Sequence, residues 1–244
     1  MNRTHVFIVG IQRSGTSYLA HMLDDHPSIR FARPIGGPPP EPKFFINEYK
    51  KGREFYESKY FANRSESVWG EKSAIYAEHP DVPERIHAFY PSAKIIFMLR
   101  NPVERAISNY FLSVRSKKET RPIEAILENS QPPCPQDVAM SPYDYIARGD
   151  YCSFISRYEQ LFSDIKILIS EETFENIESI QSTYDFLGVN YDYVPTCLCD
   201  RINHADRTTV PACLVEKLQE TFEPHIKAVE EKLGKEITVW RIKV

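Results

Sequence analysis

A buried strand, a turn of small residues and a helix follow one another over residues 6–23, and this run constrains the fold most. Residues 6–11 read VFIVGI, a short, almost wholly apolar stretch that is typical of a strand buried in a parallel sheet. The turn QRSGTS fills residues 12–17, and apolar residues then recur at helical spacing up to Leu23. Such a unit directs backbone N–H groups and a helix N-terminus at one point, where a phosphate-like anion can bind.

The glycine spacing of this turn is that of a phosphate-binding loop. Four residues separate Gly10 from Gly15, and Thr16 stands where such loops carry lysine. Arg13, inside the turn, can supply the missing positive charge, and its planar guanidinium suits a tetrahedral anion. The alternative interpretation is an ordinary βα turn of an α/β domain.

Further strands alternate with helices along the chain. Residues 93–99 and 165–169 are strongly apolar strand candidates, and residues 67–70 are a weaker one. Helical patterns lie before, between and after them, at residues 46–61, 81–89, 103–115, 150–162, 177–187 and 214–233. This alternation predicts an α/β, P-loop-like three-layer fold, with a central parallel sheet flanked by helices. The length of 244 residues predicts a single domain, residues 1–244.

Three connections are predicted to be irregular. The first covers residues 26–42, where five prolines within nine residues forbid regular structure. A loop this long in a compact domain is usually functional, and Phe44 and Phe45 are expected to anchor its end in the core. Residues 130–142 and 189–211 form the other two.

Composition excludes several classes of partner. Acidic residues outnumber basic ones, 34 against 30, so no overall positive field favours nucleic acid. The local basic clusters at residues 50–53 and 115–118 are interpreted as solvated helix faces. No apolar run approaches the ~18 residues of a membrane span, and the N-terminus lacks an apolar signal segment. We therefore expect a soluble, cytoplasmic protein without nucleic-acid or membrane partners, and the oligomeric state stays open.

The cysteines form an odd, scattered set of five. Cys197 and Cys199 lack a second pair at zinc spacing, which predicts reduced thiols and no structural metal. A link from either of them to Cys213 stays an alternative.

A second group of polar residues also follows predicted strands. Arg100 comes directly after the strand of residues 93–99, and Ser108 lies two turns into the next helix. Asn101 and Pro102 are suited to begin that helix as N-cap and first residue. Lys72 follows the weaker strand, and ligands of open parallel sheets bind at this edge. Taken singly, Arg100 and Ser108 favour a salt bridge and an exposed helix position; together with the Arg13 turn they predict one ligand with two anionic groups.

A metal-dependent kinase or ATPase fits these residues less well. It would need an aspartate at the end of a neighbouring apolar strand, but Leu99 is followed by arginine and Ile169 by Ser170 and Glu171. Glu171 keeps that class open. A nucleotide gripped by arginine, lysine and hydroxyl groups without metal fits better.

Two blocks resemble the sulfotransferases that use 3′-phosphoadenosine 5′-phosphosulfate (PAPS). Residues 10–17, GIQRSGTS, resemble the 5′-phosphosulfate loop of that superfamily in its common bacterial form. Residues 96–110, IFMLRNPVERAISNY, resemble its 3′-phosphate block, whose Arg and Ser correspond to Arg100 and Ser108. Lesser blocks are similar to the branch that includes heparan sulfate sulfotransferases: EPKFF at 41–45, EKSAIY at 71–76, VPERI at 82–86 and the closing helix that ends near Trp240.

The resemblance implies in-line transfer of a sulfuryl group from PAPS to a hydroxyl of a small molecule or carbohydrate, with 3′-phosphoadenosine 5′-phosphate (PAP) as product and no metal. It implies that Arg13 and the loop amides stabilise the leaving 5′-phosphate, that Arg100 and Ser108 hold the 3′-phosphate, and that Lys72 neutralises sulfonate or bridging oxygens. The implied loop ligands are Ser14, Gly15, Thr16, Ser17 and Tyr18.

The catalytic base implied by the resemblance is Glu41. The histidine that cytosolic phenol sulfotransferases carry soon after their Lys-Thr is absent, because Ala74 follows Lys72 and Ser73. Glu41 then takes that role, as in the heparan branch, with a solvated loop carboxylate as the alternative. His79 is the reserve base, with a helix-start residue as its alternative.

Two departures from the family pattern stand out. Pro40 occupies the position where the heparan branch usually carries a lysine, and the late basic loop over the nucleotide has no clean copy. Arg207 is the expected substitute in that loop. The rival hypotheses are a P-loop nucleotide kinase and a non-catalytic nucleotide-binding protein.

Overall fold

The central feature of the fold is one parallel sheet. A computed structural model describes residues 3–32, 41–128, 141, 143–196 and 210–241. Its five strands run in the order β2-β3-β1-β4-β5, and every paired register is parallel. The strands are β1 Thr4–Gly10, β2 Ile29–Phe31, β3 Val68–Lys72, β4 Lys94–Leu99 and β5 Ile165–Ile169.

Helices connect the strands and cover both faces of the sheet. They are α1 Thr16–Asp24, α2 Phe44–Asn47, α3 Arg53–Phe61, α4 Val82–Phe89, α5 Pro102–Arg115, α6 Tyr151–Glu159, α7 Ser170–Glu175, α8 Ile177–Leu187 and α9 Ala212–Leu233. Short 3₁₀ turns lie at Tyr49–Lys51, Ile123–Leu127, Ala147–Gly149 and Thr238–Trp240.

The side chains of β1 show how the two faces are filled. Val6 and Ile8 point to one face, where they pack with apolar residues of α1 and α8. Phe7 and Val9 point to the other, into a cluster that includes residues of α4, α6 and α9. Successive strand residues face opposite ways, and the four are at most 1% exposed, so β1 is buried on both sides. The predicted α/β three-layer fold is confirmed.

Most predicted elements form close to their expected positions, including the weak strand candidate, which is β3. Two elements were not predicted. The strand β2 lies inside the predicted loop 26–42, and its three residues are too few for a periodicity to register. The helix α7 begins directly after β5. Within the predicted irregular connections, residues 33–40, 130–140, 142 and 197–209 lie outside the described residues.

Local predictions about helix starts and anchors are also confirmed. Asn101 caps α5, because its Oδ1 accepts hydrogen bonds from the Val103 and Glu104 N–H groups, and Pro102 is the first helical residue. Phe44 is 0% exposed, like its neighbour in sequence, so the end of the long loop is anchored in the core as expected.

The structure bears on two expectations drawn from composition, those about membrane spans and about cysteines, for the described residues. Within the described ranges, none of the helices combines the length and the apolar character that crossing a membrane requires. Cys152 and Cys213 carry free thiols. The other three cysteines lie among residues that the structure does not describe.

Candidate active site

The turn between β1 and α1 is held by its own backbone and by the first residue of α7. The Ser14 N–H donates to the Ile11 carbonyl (3.1 Å), and the Ser14 carbonyl accepts from Ser170 Oγ (2.9 Å). Gly15 precedes α1 with φ +84°, and a Cβ at this position would lie 2.5 Å from the Phe174 ring. The Ser14 hydroxyl is buried and has no hydrogen-bond partner among the described residues. A buried donor at a helix N-terminus is suited to an anion.

The two predicted anion-binding blocks meet at this turn. Arg13, with φ +71°, donates from Nε to Ser108 Oγ at 3.0 Å. Arg100 donates from Nη1 to the Arg13 carbonyl at 3.3 Å. Residues almost a hundred positions apart in sequence therefore contact each other at the carboxyl ends of β1 and β4.

A third arginine adds positive charge to this cluster. The pKa of Arg13 is lowered, chiefly by burial and then by the positive charges of Arg115 and Arg100. Arg115 ends α5 and lies seven residues, about two turns, after Ser108, so both lie on one helix face. By sequence, Arg115 belongs to the basic cluster at residues 115–118, which is interpreted as a solvated helix face. Its spacing from Ser108 was the signal that could have singled it out.

Lys72 links the predicted base to the anion-binding turn. The Lys72 Nζ donates to Ser17 Oγ at 3.1 Å and to Glu41 Oε1 at 3.2 Å. Glu41 Oε1 also accepts from the Ala74 N–H at 3.1 Å. Lys72 is only 9% exposed, so its charge is largely withdrawn from solvent beside two polar partners.

A second lysine, which sequence reasoning missed, lies beside the same carboxylate. Lys43 Nζ is 3.9 Å from Glu41 Oε2, and the Lys43 side chain is 42% exposed. Its backbone is left-handed, with φ +50°. This conformation brings a cation to the carboxylate from only two residues further along the chain. Pro40 and Arg207 lie outside the described residues.

Three other predicted residues make contacts outside this cluster or are buried beside it. Thr16 is buried at the start of α1. Tyr18 is buried, and its ring packs edge-on against Phe174, with 4.9 Å between centroids. His79 Nδ1 accepts from the Asp81 N–H at 3.3 Å, and burial lowers the pKa of the ring. That contact places His79 at the turn before α4, as in its alternative interpretation.

Glu171, which follows β5, joins the start of α5 to the closing 3₁₀ turn. Glu171 Oε1 accepts from the Asn101 N–H, and Oε2 accepts from Trp240 Nε1, each at 3.0 Å. Both carboxylate oxygens of Glu171 thus stabilise the start of α5 and the closing 3₁₀ turn. Over the described ranges, the His, Cys, Asp and Glu side chains form no group of three or more that could hold a metal ion.

Comparison with known proteins decides the family. The family model described as "Sulfotransferase domain" matches residues 3–205, most of the chain. The chain belongs to the sulfotransferase family. Among similar solved structures, a sulfotransferase from Alicyclobacillus acidocaldarius is 27% identical with a TM-score of 0.82, and the match covers 99% of this chain and 100% of that one.

Curated relatives of this sulfotransferase-family chain include heparan sulfate enzymes. Human heparan sulfate glucosamine 3-O-sulfotransferase 6 is 38% identical over 103 residues, which cover 42% of this chain and 28% of the relative. Human heparan sulfate glucosamine 3-O-sulfotransferase 3B1 is 26% identical over 225 residues, which cover 89% of this chain and 53% of the relative. The chain spans about half or less of the length of these relatives.

Proposed function

We propose that this protein transfers a sulfuryl group from PAPS to an acceptor hydroxyl. The observation that carries the proposal is the 3.0 Å contact between Arg13 Nε and Ser108 Oγ. It joins the anion-binding turn to the block that contains Arg100, so a single nucleotide with two anionic groups can reach both. Family membership supports the same assignment.

The donor site fits the residues present. Arg13, the amides of residues 14–17 and the buried, unpartnered Ser14 hydroxyl would hold the 5′-phosphate end. Arg100 and Ser108 would hold the 3′-phosphate. Beside burial, the positive charges of Arg115 and Arg100 lower the pKa of Arg13. An anion bound among these three arginines would offset their mutual repulsion.

The groups around Lys72 would act on the transferred group. When bound, PAPS supplies a sulfuryl group whose bond to the 5′-phosphate breaks as the acceptor oxygen bonds to sulfur. Lys72 would neutralise charge on the sulfonate or bridging oxygens. Glu41 would take the acceptor proton on Oε2, because Oε1 already accepts from Lys72 and Ala74. General-base help of this kind is typically worth ~10²–10⁴-fold in rate.

We propose a small-molecule or carbohydrate hydroxyl as acceptor, and a single domain, residues 1–244, as the active unit. Similar proteins are named for glucosamine of heparan sulfate. The net charge of −4 disfavours a long polyanionic chain as acceptor. Arg207 stays the proposed late contact to the nucleotide.

A transfer assay tests the proposal. Radiolabelled PAPS is incubated with the full chain and a panel of phenols, alcohols, monosaccharides and heparan-type oligosaccharides, and labelled product and PAP are quantified. We expect PAP release that depends on acceptor and does not require added Mg²⁺. Magnesium-dependent turnover of ATP without PAP binding would instead indicate a kinase, and tight PAP binding without transfer would indicate a non-catalytic nucleotide-binding protein.

A further inference from the structure

The short segment that carries Glu41 is fixed through its backbone N–H groups. The Lys43 N–H donates to Ser73 Oγ at 3.0 Å, and the Phe45 N–H donates to the Tyr76 hydroxyl, also at 3.0 Å. Both acceptors are side-chain hydroxyls, and both lie in the stretch that follows β3. The segment of residues 41–45 is thus attached to the sheet by two side chains.

Both hydroxyls converge on one buried oxygen. Ser73 Oγ donates to Glu71 Oε1 at 2.9 Å, and the Tyr76 hydroxyl donates to the same oxygen. A hydroxyl that donates to a carboxylate is a fixed and polarised acceptor for the next donor. Glu71 therefore determines the direction in which each hydroxyl presents its lone pairs to residues 43 and 45.

The burial of Glu71 is unusual for a carboxyl group. Its side chain is 0% exposed, and burial raises its pKa to about 7 against the opposing hydrogen bonds from Tyr76, Tyr56 and Ser73. Burying a carboxyl group is costly unless it is well hydrogen-bonded. Glu71 and Lys72 are consecutive residues of β3, so one points away from the site and the other into it.

The backbone held by these hydroxyls is in an uncommon conformation. Lys43 has φ +50°, a left-handed state that a non-glycine residue adopts only when its surroundings impose it. The hydrogen bond from its own N–H to Ser73 is one such constraint. The turn places Glu41, two residues earlier, against Lys72 and the Ala74 N–H.

We propose that Glu71 is a positioning residue for the base, acting through Ser73 and Tyr76 on residues 43 and 45 and thereby on Glu41. This inference rests on the proposed function. Glu71, which lies outside the ligand site, would hold the segment of Glu41, here called the base end. The donor end, formed by Arg13, Arg100 and Ser108, is held independently by the β1–α1 turn.

Removal of one hydroxyl tests the relay without removing the buried carboxyl. In Tyr76→Phe we expect kcat for sulfuryl transfer to fall at least about tenfold, since small displacements of a catalytic group are costly, while the Kd for PAP stays within about twofold. Ser73→Ala should behave in the same way. Tyr184→Phe is the matched control: its hydroxyl is also buried, but it donates to the Met22 carbonyl on the other face of the sheet. The control should leave both constants unchanged.

Two substitutions of Glu71 separate hydrogen bonding from packing. Glu71→Gln keeps an oxygen that both hydroxyls can donate to, so kcat should stay within about threefold of the natural chain. Glu71→Leu offers no acceptor, and kcat should fall at least as far as in Tyr76→Phe. Should Glu71→Leu fail to fold, the two hydroxyl variants and Glu71→Gln still decide the matter.

Hydrogen exchange gives a readout that does not need turnover. Amides of residues 43–45 should exchange faster in Tyr76→Phe and Ser73→Ala, and at the natural rate in Tyr184→Phe. Absence of transfer in the natural chain would refute the proposed function alone, because the exchange rates report the anchoring separately. The positioning role is overturned if Tyr76→Phe matches Tyr184→Phe in kcat and exchange, or if kcat and PAP affinity fall in equal proportion.

Discussion

The donor end and the base end of the candidate site are built in different ways. At the donor end, Arg13 and Arg100 extend from the carboxyl ends of neighbouring parallel strands, and Ser108 follows on the next helix. Two contiguous sequence blocks and the pairing of β1 with β4 suffice to bring these groups together. At the base end, Glu41 belongs to a segment outside the sheet, which buried hydroxyls tie to Glu71.

This difference separates binding from chemistry. Loss of one charged contact at the donor end should weaken the nucleotide without moving the turn, because the turn is fixed by backbone hydrogen bonds. Loss of a group at the base end should slow transfer and leave nucleotide affinity nearly intact. The comparison would be wrong if a donor-end variant changed only the transfer rate, or a base-end variant changed only the nucleotide affinity.

The largest effect is expected for Glu41→Gln, which removes the proposed base. The value of kcat should fall by ~10²–10⁴-fold, with the Kd for PAP unchanged by calorimetry. Glu48→Gln is the control, since the Glu48 side chain forms ion pairs with Lys51 and Lys59 at the surface. Undiminished turnover in Glu41→Gln would remove Glu41 from the mechanism.

The next effect concerns pH and stability at the base end. Glu71 has a folded-state pKa of about 7 against its ordinary 4.5, so the folded protein binds that proton more tightly than the unfolded chain. Its contribution to the free energy of unfolding is therefore fully present below about pH 4.5 and lost as the pH rises to about 7, by about 3 kcal/mol. Glu71→Gln should remove this dependence of the free energy of unfolding on pH, measured by urea denaturation at a series of pH values. Parallel curves for the two proteins would contradict a raised pKa.

At the donor end, Arg100→Ala should weaken PAP by roughly 10- to 100-fold, the range expected for a charged hydrogen bond. Adenosine 5′-phosphosulfate lacks the 3′-phosphate, so its affinity should change by no more than about threefold. Equal losses for both ligands would show that Arg100 does not recognise the 3′-phosphate.

The smallest effect is expected for Arg115→Ala. Arg115 is exposed and acts at a distance through its charge, so PAP affinity should fall by only about three- to fivefold, and less at high salt. Lys118→Ala, on an exposed lysine just beyond the same helix, serves as control. If PAP affinity fell by the same factor in Lys118→Ala, the effect of Arg115 would be one of general surface charge and not of its position.

The sequence was sufficient for the parts of the molecule whose structure is local. The β1–α1 turn and the start of α5 are each coded by a few consecutive residues, such as Gly15 and Asn101, and the structure has both elements as expected. The strand β2 was missed because three residues carry no usable period, and it forms by pairing with β3.

The base end could not be predicted in the same detail because it depends on contacts between separate segments. Glu71 looks like an ordinary polar residue of a short strand until β3 is seen covered on both faces. The proximity of Lys43 to Glu41 depends on the left-handed backbone of Lys43. Glycine or asparagine usually indicates such a conformation in a sequence, and this position carries lysine. The charge of Arg115 acts on Arg13 because α5 brings Ser108, on the same helix face, to Arg13.

The most direct test of the central claim is a crystal structure of the full chain with PAP. We expect the 5′-phosphate to lie on the amides of residues 14–17 near Arg13, and the 3′-phosphate to contact Arg100 and Ser108 in the same molecule of ligand. A PAP molecule that contacts only one of the two groups, or that binds elsewhere, would contradict the account.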